Sequence, residues 1–274
     1  MDLIIVLILI GVVALIMELV DAGLGMGYGT VLTPLMLAFG FASLVIIPAV
    51  LLSQAIGGFT AAMFHQKQKN VDFGEAKDLR KIKQQLKSLG YYETFKIGFT
   101  KDTKIVLIIT VFGVIATVIG AFVAINLPKW ALNTYIGILV LVIGILLLSG
   151  KTFKFSLKKM LGIGLLASFN KGISGGGFGP VATGGQMIGG NEHKSAIGCT
   201  TLSEAPICIA GFLTFLFVNG IQNWWLVLTM SIGAVIGAPL GALLTKKLHP
   251  TRFKYILGII IAVLGAWTII NLII

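Results

Sequence analysis

The chain has 274 residues, 57% of them hydrophobic and 11% charged, and its mean hydropathy is +0.99. A soluble domain carries roughly 25% charged residues, so a soluble globular protein is excluded and an integral membrane protein is indicated. The net charge of +11 does not point to nucleic acid, because nearly all the Lys and Arg lie in three loops between apolar runs.

The first apolar run covers 3–20. Met1-Asp2-Leu3 has no basic n-region and no small-residue cleavage site follows, so the run reads as a retained segment and not a signal peptide. The run is broken at Asp21-Ala-Gly-Leu-Gly-Met-Gly-Tyr-Gly29 and resumes over 28–39. A span at 43–65 leads into a basic insert, 66–104, in which Leu79, Ile82, Leu86 and Leu89 recur at helical spacing from Glu75 and Gly90 supplies a stop. This amphipathic helix fits a surface of anionic headgroups; a regulatory or partner-docking role is the competing reading. Spans follow at 104–126 and 130–150. The runs 158–169 and 178–189 flank a second break, Asn170-Lys-Gly-Ile-Ser-Gly-Gly-Gly-Phe-Gly-Pro180, and three further spans occupy 195–218, 223–245 and 252–273. A crossing needs about 20 residues, and runs of about 12 reach only half of a ~30 Å core. The pair 158–169 and 178–189 is therefore expected to form a re-entrant hairpin with the break at its tip. The runs 3–20 and 28–39 are its counterpart, although 3–20 is long enough to span.

The basic residues set the parity. Ten Lys/Arg lie from Lys67 to Lys104, four at Lys151, Lys154, Lys158 and Lys159, and four at Lys246, Lys247, Arg252 and Lys254. If each broken segment returns to the side it left, all of these and Lys194 share one side, and only Lys129 lies opposite. If each broken segment crosses once, the 246–254 cluster joins Lys129 and Lys194. The positive-inside rule prefers the first arrangement and puts both termini outside. A weak repeat agrees. At an offset of 150, Gly27, Gly29, Thr33 and Leu52-Ser53 match Gly177, Gly179, Thr183 and Leu202-Ser203; at 121, Gly120, Gly137 and Gly144 match Gly241, Gly258 and Gly265. The expectation is an all-α polytopic protein of two inverted-topology units, 1–150 and 151–274, each a glycine-broken re-entrant hairpin plus three transmembrane helices.

Non-helical backbone survives in a bilayer only where protein or a watery cavity satisfies it, and paired breaks at corresponding points mark a carrier's binding site. Free N–H groups at the starts of the second limbs form an anion cradle, and glycine lets a ligand approach the backbone. The candidates are Gly25, Gly27, Tyr28 and Gly29 at the first break and Ser174, Gly175, Gly176, Gly177, Phe178 and Gly179 at the second. Gly120, Gly137, Gly241 and Gly258 read instead as helix-packing glycines. Intramembrane polar residues add Lys171, Ser53, Gln54, Thr200, Thr201 and Ser203 as anion partners. For Lys171 the alternatives are snorkelling or pairing with Asp21 or Glu204; for the hydroxyls, interhelical hydrogen bonds. Glu18, Asp21 and Glu204 are proton-coupling candidates, since a buried carboxylate is costly unless paired or protonated; Asp21 also suits capping of the break. No metal site or cofactor is expected. Cys199 and Cys208 form no CxxC pair, and His65, His193 and His249 stand at separate span ends as interfacial residues. Gly23-Leu-Gly-Met-Gly lacks a strand before it, and Gly189-Gly-Asn-Glu-His-Lys-Ser195 lacks the glycine before Lys of a P-loop. An enzyme is not expected.

Gly23-Leu-Gly-Met-Gly-Tyr-Gly-Thr-Val-Leu-Thr-Pro34 and His65-Gln-Lys-Gln-Lys-Asn-Val-Asp72 resemble the first half of the TauE/SafE sulfite exporter family. Gly172-Ile-Ser-Gly-Gly-Gly-Phe-Gly-Pro180, Lys194-Ser-Ala-Ile-Gly198 and Thr200-Thr-Leu-Ser203 resemble its second half. Met26 and Tyr28 interrupt the glycine cluster common in the first motif, and Ile47-Pro48-Ala49-Val50 replaces a usual Val-Gly-Thr-Ser-like segment. The resemblance implies a multi-pass carrier in the cell (inner) membrane for sulfite, a sulfonate such as sulfoacetate, or a related sulfur anion such as thiosulfate, working by export. The lipid bilayer, the anion and protons are then its partners. An anion channel and a proton-coupled uptake carrier for a small organic acid remain as alternatives.

Overall fold

A computed structural model of the chain describes residues 3–74, 99–149, 157–188, 191–245 and 250–273, with 83, 84, 88 and 90 between the first two stretches. The amphipathic pattern starting at Glu75 falls outside the described residues apart from those four, as do Lys151, Lys154, Lys246, Lys247 and His249.

Ten helices and no strand occur among the described residues. They are α1 (Leu3–Leu24), α2 (Tyr28–Ala38), α3 (Ser43–Lys67), α4 (Lys101–Asn126), α5 (Lys129–Ser149), α6 (Leu157–Ser174), α7 (Phe178–Ile188), α8 (His193–Val218), α9 (Trp224–Leu244) and α10 (Pro250–Ile273). Local chemistry sets the ends of several. The Thr100 hydroxyl accepts from the Thr103 N–H at 3.1 Å to start α4, and the Asn223 side chain accepts from the Leu226 N–H at 3.0 Å to start α9; each satisfies one of the donors a helix start leaves open. Six helices, α1, α3, α4, α5, α8 and α9, are long and apolar enough to cross a membrane. Large apolar side chains such as Leu9, Val111, Ile115, Phe122, Ile145, Leu228 and Ile232 stand exposed along them, which in a bilayer is the side that meets lipid. The chain is an all-helical polytopic membrane protein.

The first limbs of the broken segments differ from expectation. The apolar run 158–169 stops at Asn170, but α6 continues through Lys171 to Ser174 and has 18 residues, while α1 has 22. At 1.5 Å per residue these reach about 27 and 33 Å, against about 16 Å for the 11-residue α2 and α7. Polar residues extend α6 because their partners lie inside the protein, which an apolar-run count cannot see.

Contacts fix the helix directions. Gly58 lies against Thr201 and Ala205, and Gly211 against Leu51, so α3 and α8 are antiparallel. Gly57 meets Ala234 while Asn70, just past α3, bonds the Ala242 carbonyl, so α3 and α9 are parallel. Asp102 meets Ser195, Gly113 meets Ile207 and Thr117 meets Gly211, so α4 and α8 are parallel. Helix α1 runs beside α9, and α6 beside α4. Glycine makes both approaches close: a Cβ on Gly233, Gly237 or Gly241 would sit 2.4 Å from the carbonyl oxygens of Gly11, Leu15 and Leu19, and one on Gly120 2.4 Å from that of Phe169. Helices α5 and α10 pack antiparallel through Gly137, Gly144, Gly258 and Gly265. One apolar cluster ties Leu132, Ile136, Val140 and Ile143 of α5 to Leu24, Val31, Ile47 and Ile173, and so holds the α5–α10 pair against both broken segments.

The helix bounds repeat. Leu24 and Ser174, Tyr28 and Phe178, Ala38 and Ile188, and Ser43 and His193 are each 150 residues apart.

Candidate functional site

Both breaks are made by glycines in left-handed backbone. The φ angle is +71° at Gly25 and +72° at Gly175, +134° at Gly27 and +81° at Gly177, a region other residues enter only under strain. The breaks also pack on one another backbone to backbone. A Cβ on Gly29 would lie 1.9 Å from the Gly175 carbonyl oxygen, one on Gly176 2.8 Å from that of Gly29, and one on Gly179 2.6 Å from that of Gly25. Two hydrogen bonds tie them: the Gly177 N–H donates to Thr30 Oγ1 at 3.0 Å, and Thr183 Oγ1 donates to the Gly25 carbonyl at 2.7 Å.

A chain of buried polar side chains crosses between the halves at this point. Asp21 accepts the Tyr28 N–H at 3.2 Å, which caps the first break, and accepts from Gln54 Nε2 at 3.1 Å. Gln54 Oε1 accepts from Lys171 Nζ, and Lys171 pairs with Glu204 Oε1 at 2.9 Å. Lys171 is 1% exposed, so it pairs with Glu204 and does not snorkel. Asp21 and Lys171 hold matched positions in the two halves, as do Gln54 and Glu204. The two interactions Asp21–Gln54 and Lys171–Glu204 thus correspond, with an acid and an amide in one half facing a cation and an acid in the other. Burying an ion pair stabilises little, whereas removing one partner leaves an uncompensated charge.

Asp21, Gly27, Tyr28, Gly29, Thr30, Gln54, Lys171, Gly176, Gly177, Phe178, Gly179 and Glu204 surround about 130 Å³ of interstitial space, with no room for a free water. The breaks are closed on each other in this conformation. The N–H groups of Gly29, Thr30, Phe178 and Gly179 lie in the first turns of α2 and α7, where a helix leaves its N–H donors without an intrahelical acceptor. Such donors, with the positive ends of two helix dipoles and an ammonium group beside them, can hold an oxyanion. Glu18 lies one turn before Asp21, 1% exposed, and its Oε2 has no partner among the described residues.

Other sequence candidates sit elsewhere. Ser53 receives the Tyr28 hydroxyl at 2.8 Å. Ser174 accepts the Gly176 N–H at 3.1 Å and so shapes the second break. Thr201 and Ser203 donate to carbonyls of their own helix, Ile197 at 2.9 Å and Cys199 at 2.7 Å. Gly175 packs on Thr33, and Thr200 bonds Thr183 and Gln186. His65 is not interfacial: it is buried, 2.9 Å from the Ala22 carbonyl and 3.0 Å from Asn70. Sequence reasoning missed Thr30, Thr183, Gln186, Asn191, Ser195 and Asp102. The one available signal was the match of Thr183 with Thr33. No group of three or more His, Cys, Asp or Glu able to hold a metal occurs among the described residues.

The model of the Sulfite exporter TauE/SafE family matches residues 89–268. The chain belongs to the TauE/SafE family. It is also similar to the Probable membrane transporter protein YtnM of Bacillus subtilis (strain 168), 28% identical over 279 residues that take in 97% of this chain and 83% of that one. No solved structure matches it. As a TauE/SafE protein the chain is a membrane transporter, and its family and relative are transporters and not enzymes. The family match takes in the second break; the alignment with YtnM extends over 97% of this chain.

Proposed function

We infer that this TauE/SafE transporter carries a small sulfur-containing anion, sulfite, thiosulfate or a sulfonate such as sulfoacetate, and exports it by alternating access. The anion binds between the two glycine breaks, on the first-turn N–H groups of α2 and α7 and on Lys171. One observation carries this reading: two helix starts, whose first-turn N–H groups have no intrahelical acceptor, meet beside the one Lys that is buried among the described residues. The acids Glu18, Asp21 and Glu204 outnumber that Lys, so admitting an anion calls for protons, and the carrier couples to them. The two units, 1–150 and 151–274, are inverted repeats, and each broken segment returns to its own side, which puts both termini outside. Support comes from the matched helix bounds and from the directions of α3, α4, α8 and α9. If each broken segment crossed once, α3 and α8 would be parallel and α4 and α8 antiparallel.

The test uses purified protein. Thermal stabilisation is measured with sulfite, thiosulfate, sulfoacetate, taurine, sulfate and acetate, since a ligand that binds only the folded state raises its stability. Labelled sulfite uptake into sulfite-loaded proteoliposomes follows. Saturable counterflow of a sulfur anion is expected. Stabilisation and counterflow by acetate alone would make it an organic-acid carrier, and non-saturable flux without counterflow would make it a channel.

A further inference from the structure

A file of buried polar side chains leads from the glycine breaks to the end of α4 that carries the basic insert. From the break outward, Thr183 Oγ1 donates to the Gly25 carbonyl at 2.7 Å and lies 2.9 Å from Thr200 Oγ1. Gln186 Nε2 donates to Thr200 at 2.8 Å, and its Oε1 accepts from Asn191 Nδ2 at 3.2 Å. Asn191 also donates to Ser195 Oγ at 3.0 Å, and Ser195 donates to Asp102 Oδ1 at 2.6 Å. The Asp72 N–H, at the mouth of the insert, donates to Asp102 Oδ2 at 2.9 Å. Every one of these side chains is buried.

Polar residues between membrane helices often serve only as glue. The other half of the molecule argues against that here. At the positions 150 residues earlier, Thr33, Met36, Phe41, Val45 and Val50 stand in for Thr183, Gln186, Asn191, Ser195 and Thr200. Met36 and Val50, with Phe41 and Val45 packed around them, form part of an apolar cluster that joins α2 to α3. The same contact between a short helix and the next long one is therefore built equally well from hydrocarbon. Replacing paired buried polar groups by apolar ones of similar shape is often neutral or stabilising. Packing alone does not call for a polar file in one half and an apolar wall in the other.

We propose that Thr183, Gln186, Asn191, Ser195, Thr200 and Asp102 line the passage between the binding site and the insert side, shown here in its shut state. The solute it admits is a small hydrophilic anion, handed along hydroxyl and amide donors. The hydrogen bonds the side chains now make to one another are those they exchange for the solute and its water when the passage opens. Asp102 fastens the outer end, held to both α8 and the insert. The opposite exit is closed by Met36, Phe41, Val45 and Val50, so the two gates of one carrier work by different chemistry. The inference rests on the carrier reading only in that something passes; it does not depend on which anion.

The test has two arms. In full-length protein carrying Cys199→Ala and Cys208→Ala, Gln186→Cys and Ser195→Cys are treated in detergent with a small charged methanethiosulfonate, beside Ile109→Cys as a buried control away from the file. A passage that opens even as a minor state exposes the first two, and modification at least about tenfold faster than at Ile109→Cys is expected. Equal, slow modification at all three overturns the proposal. The second arm keeps the native cysteines and gives the file the other half's residues, Gln186→Met, Ser195→Val and Thr200→Val together. Folded protein that is still stabilised by sulfite but has lost most of its sulfite flux is expected. Wild-type flux overturns the proposal. Loss of sulfite stabilisation in the unmutated protein would instead count against sulfite as the cargo, while the labelling arm still reads the passage.

Discussion

Lys171 decides most at the scale of single residues, because removing it strands Glu204 in the core. Lys171→Met should lower stability by about 3–5 kcal/mol, the range for an unpaired buried charge, and adding Glu204→Gln should recover most of it. Denaturation midpoints in detergent check this, and both variants should fail in counterflow. If the double variant is no more stable than the single one, the pair does not explain the loss. Glu18 is in a different position, since its Oε2 has no hydrogen-bond partner among the described residues. If protons accompany the anion through Glu18, Glu18→Gln should fold normally and give a flux that no longer varies with pH, whereas wild type varies. An unchanged profile would move the coupling to Asp21 or Glu204. The rarity of ionisable residues in apolar runs made Lys171, Asp21, Glu18 and Glu204 visible in sequence. Which acid Lys171 meets was not visible, because Glu204 lies on α8 and the distance between them depends on how α6 packs. Gln54 as the bridge to Asp21 was hidden for the same reason.

Glycines act on whole elements in two separate ways. On α9, Gly237 lets α1 approach, and a Cβ there would be 2.4 Å from the Leu15 carbonyl oxygen. Gly237→Ala should push the helices apart and lower stability by about 1–3 kcal/mol, with the protein that remains folded still transporting. Gly177 is different: the atoms nearest a Cβ there, on Ile143, Asn170 and Leu139, lie at 3.2–3.4 Å, but φ is +81°. Gly177→Ala should cost roughly 1–2 kcal/mol from the left-handed backbone and should also stop transport, since the break's donors turn with the backbone. Flux normalised to folded protein separates the two; equal specific flux in both variants would assign Gly177 to packing. The breaks themselves were legible as the stretches 21–29 and 170–180, because a run of glycines inside an apolar stretch has few other uses, and the structure narrows them to 25–27 and 175–177. The length of α6 was not, because Asn170 and Lys171 end an apolar run without ending a helix whose polar residues find partners inside.

For the whole molecule the open matter is which side each loop faces, and the answer fixes both gates. Basic residues argue that residues 67–104, 151–159 and 246–254 share the cytoplasmic side, with Lys129 opposite. That reading came from loop charge alone. The helix directions bear on it independently, since parallel α4 and α8 require an odd number of crossings between them, and α5 supplies one. Besides α5, only the α6–α7 segment separates α4 from α8, so the difference between the schemes lies in whether α6 and α7 return. In intact cells, Gln85→Cys, Phe155→Cys and Pro250→Cys should resist an impermeant thiol reagent, and the exposed Lys129→Cys should react. After permeabilisation all four should react. The native Cys199 and Cys208 are buried, so background from them should be low. Position 250 is the discriminating one, because single crossings by each broken segment would place it outside with Lys129. Labelling of Pro250→Cys in intact cells would therefore overturn the inverted arrangement, and labelling of Gln85→Cys, in the insert, would overturn the assignment of the polar file to the cytoplasmic side.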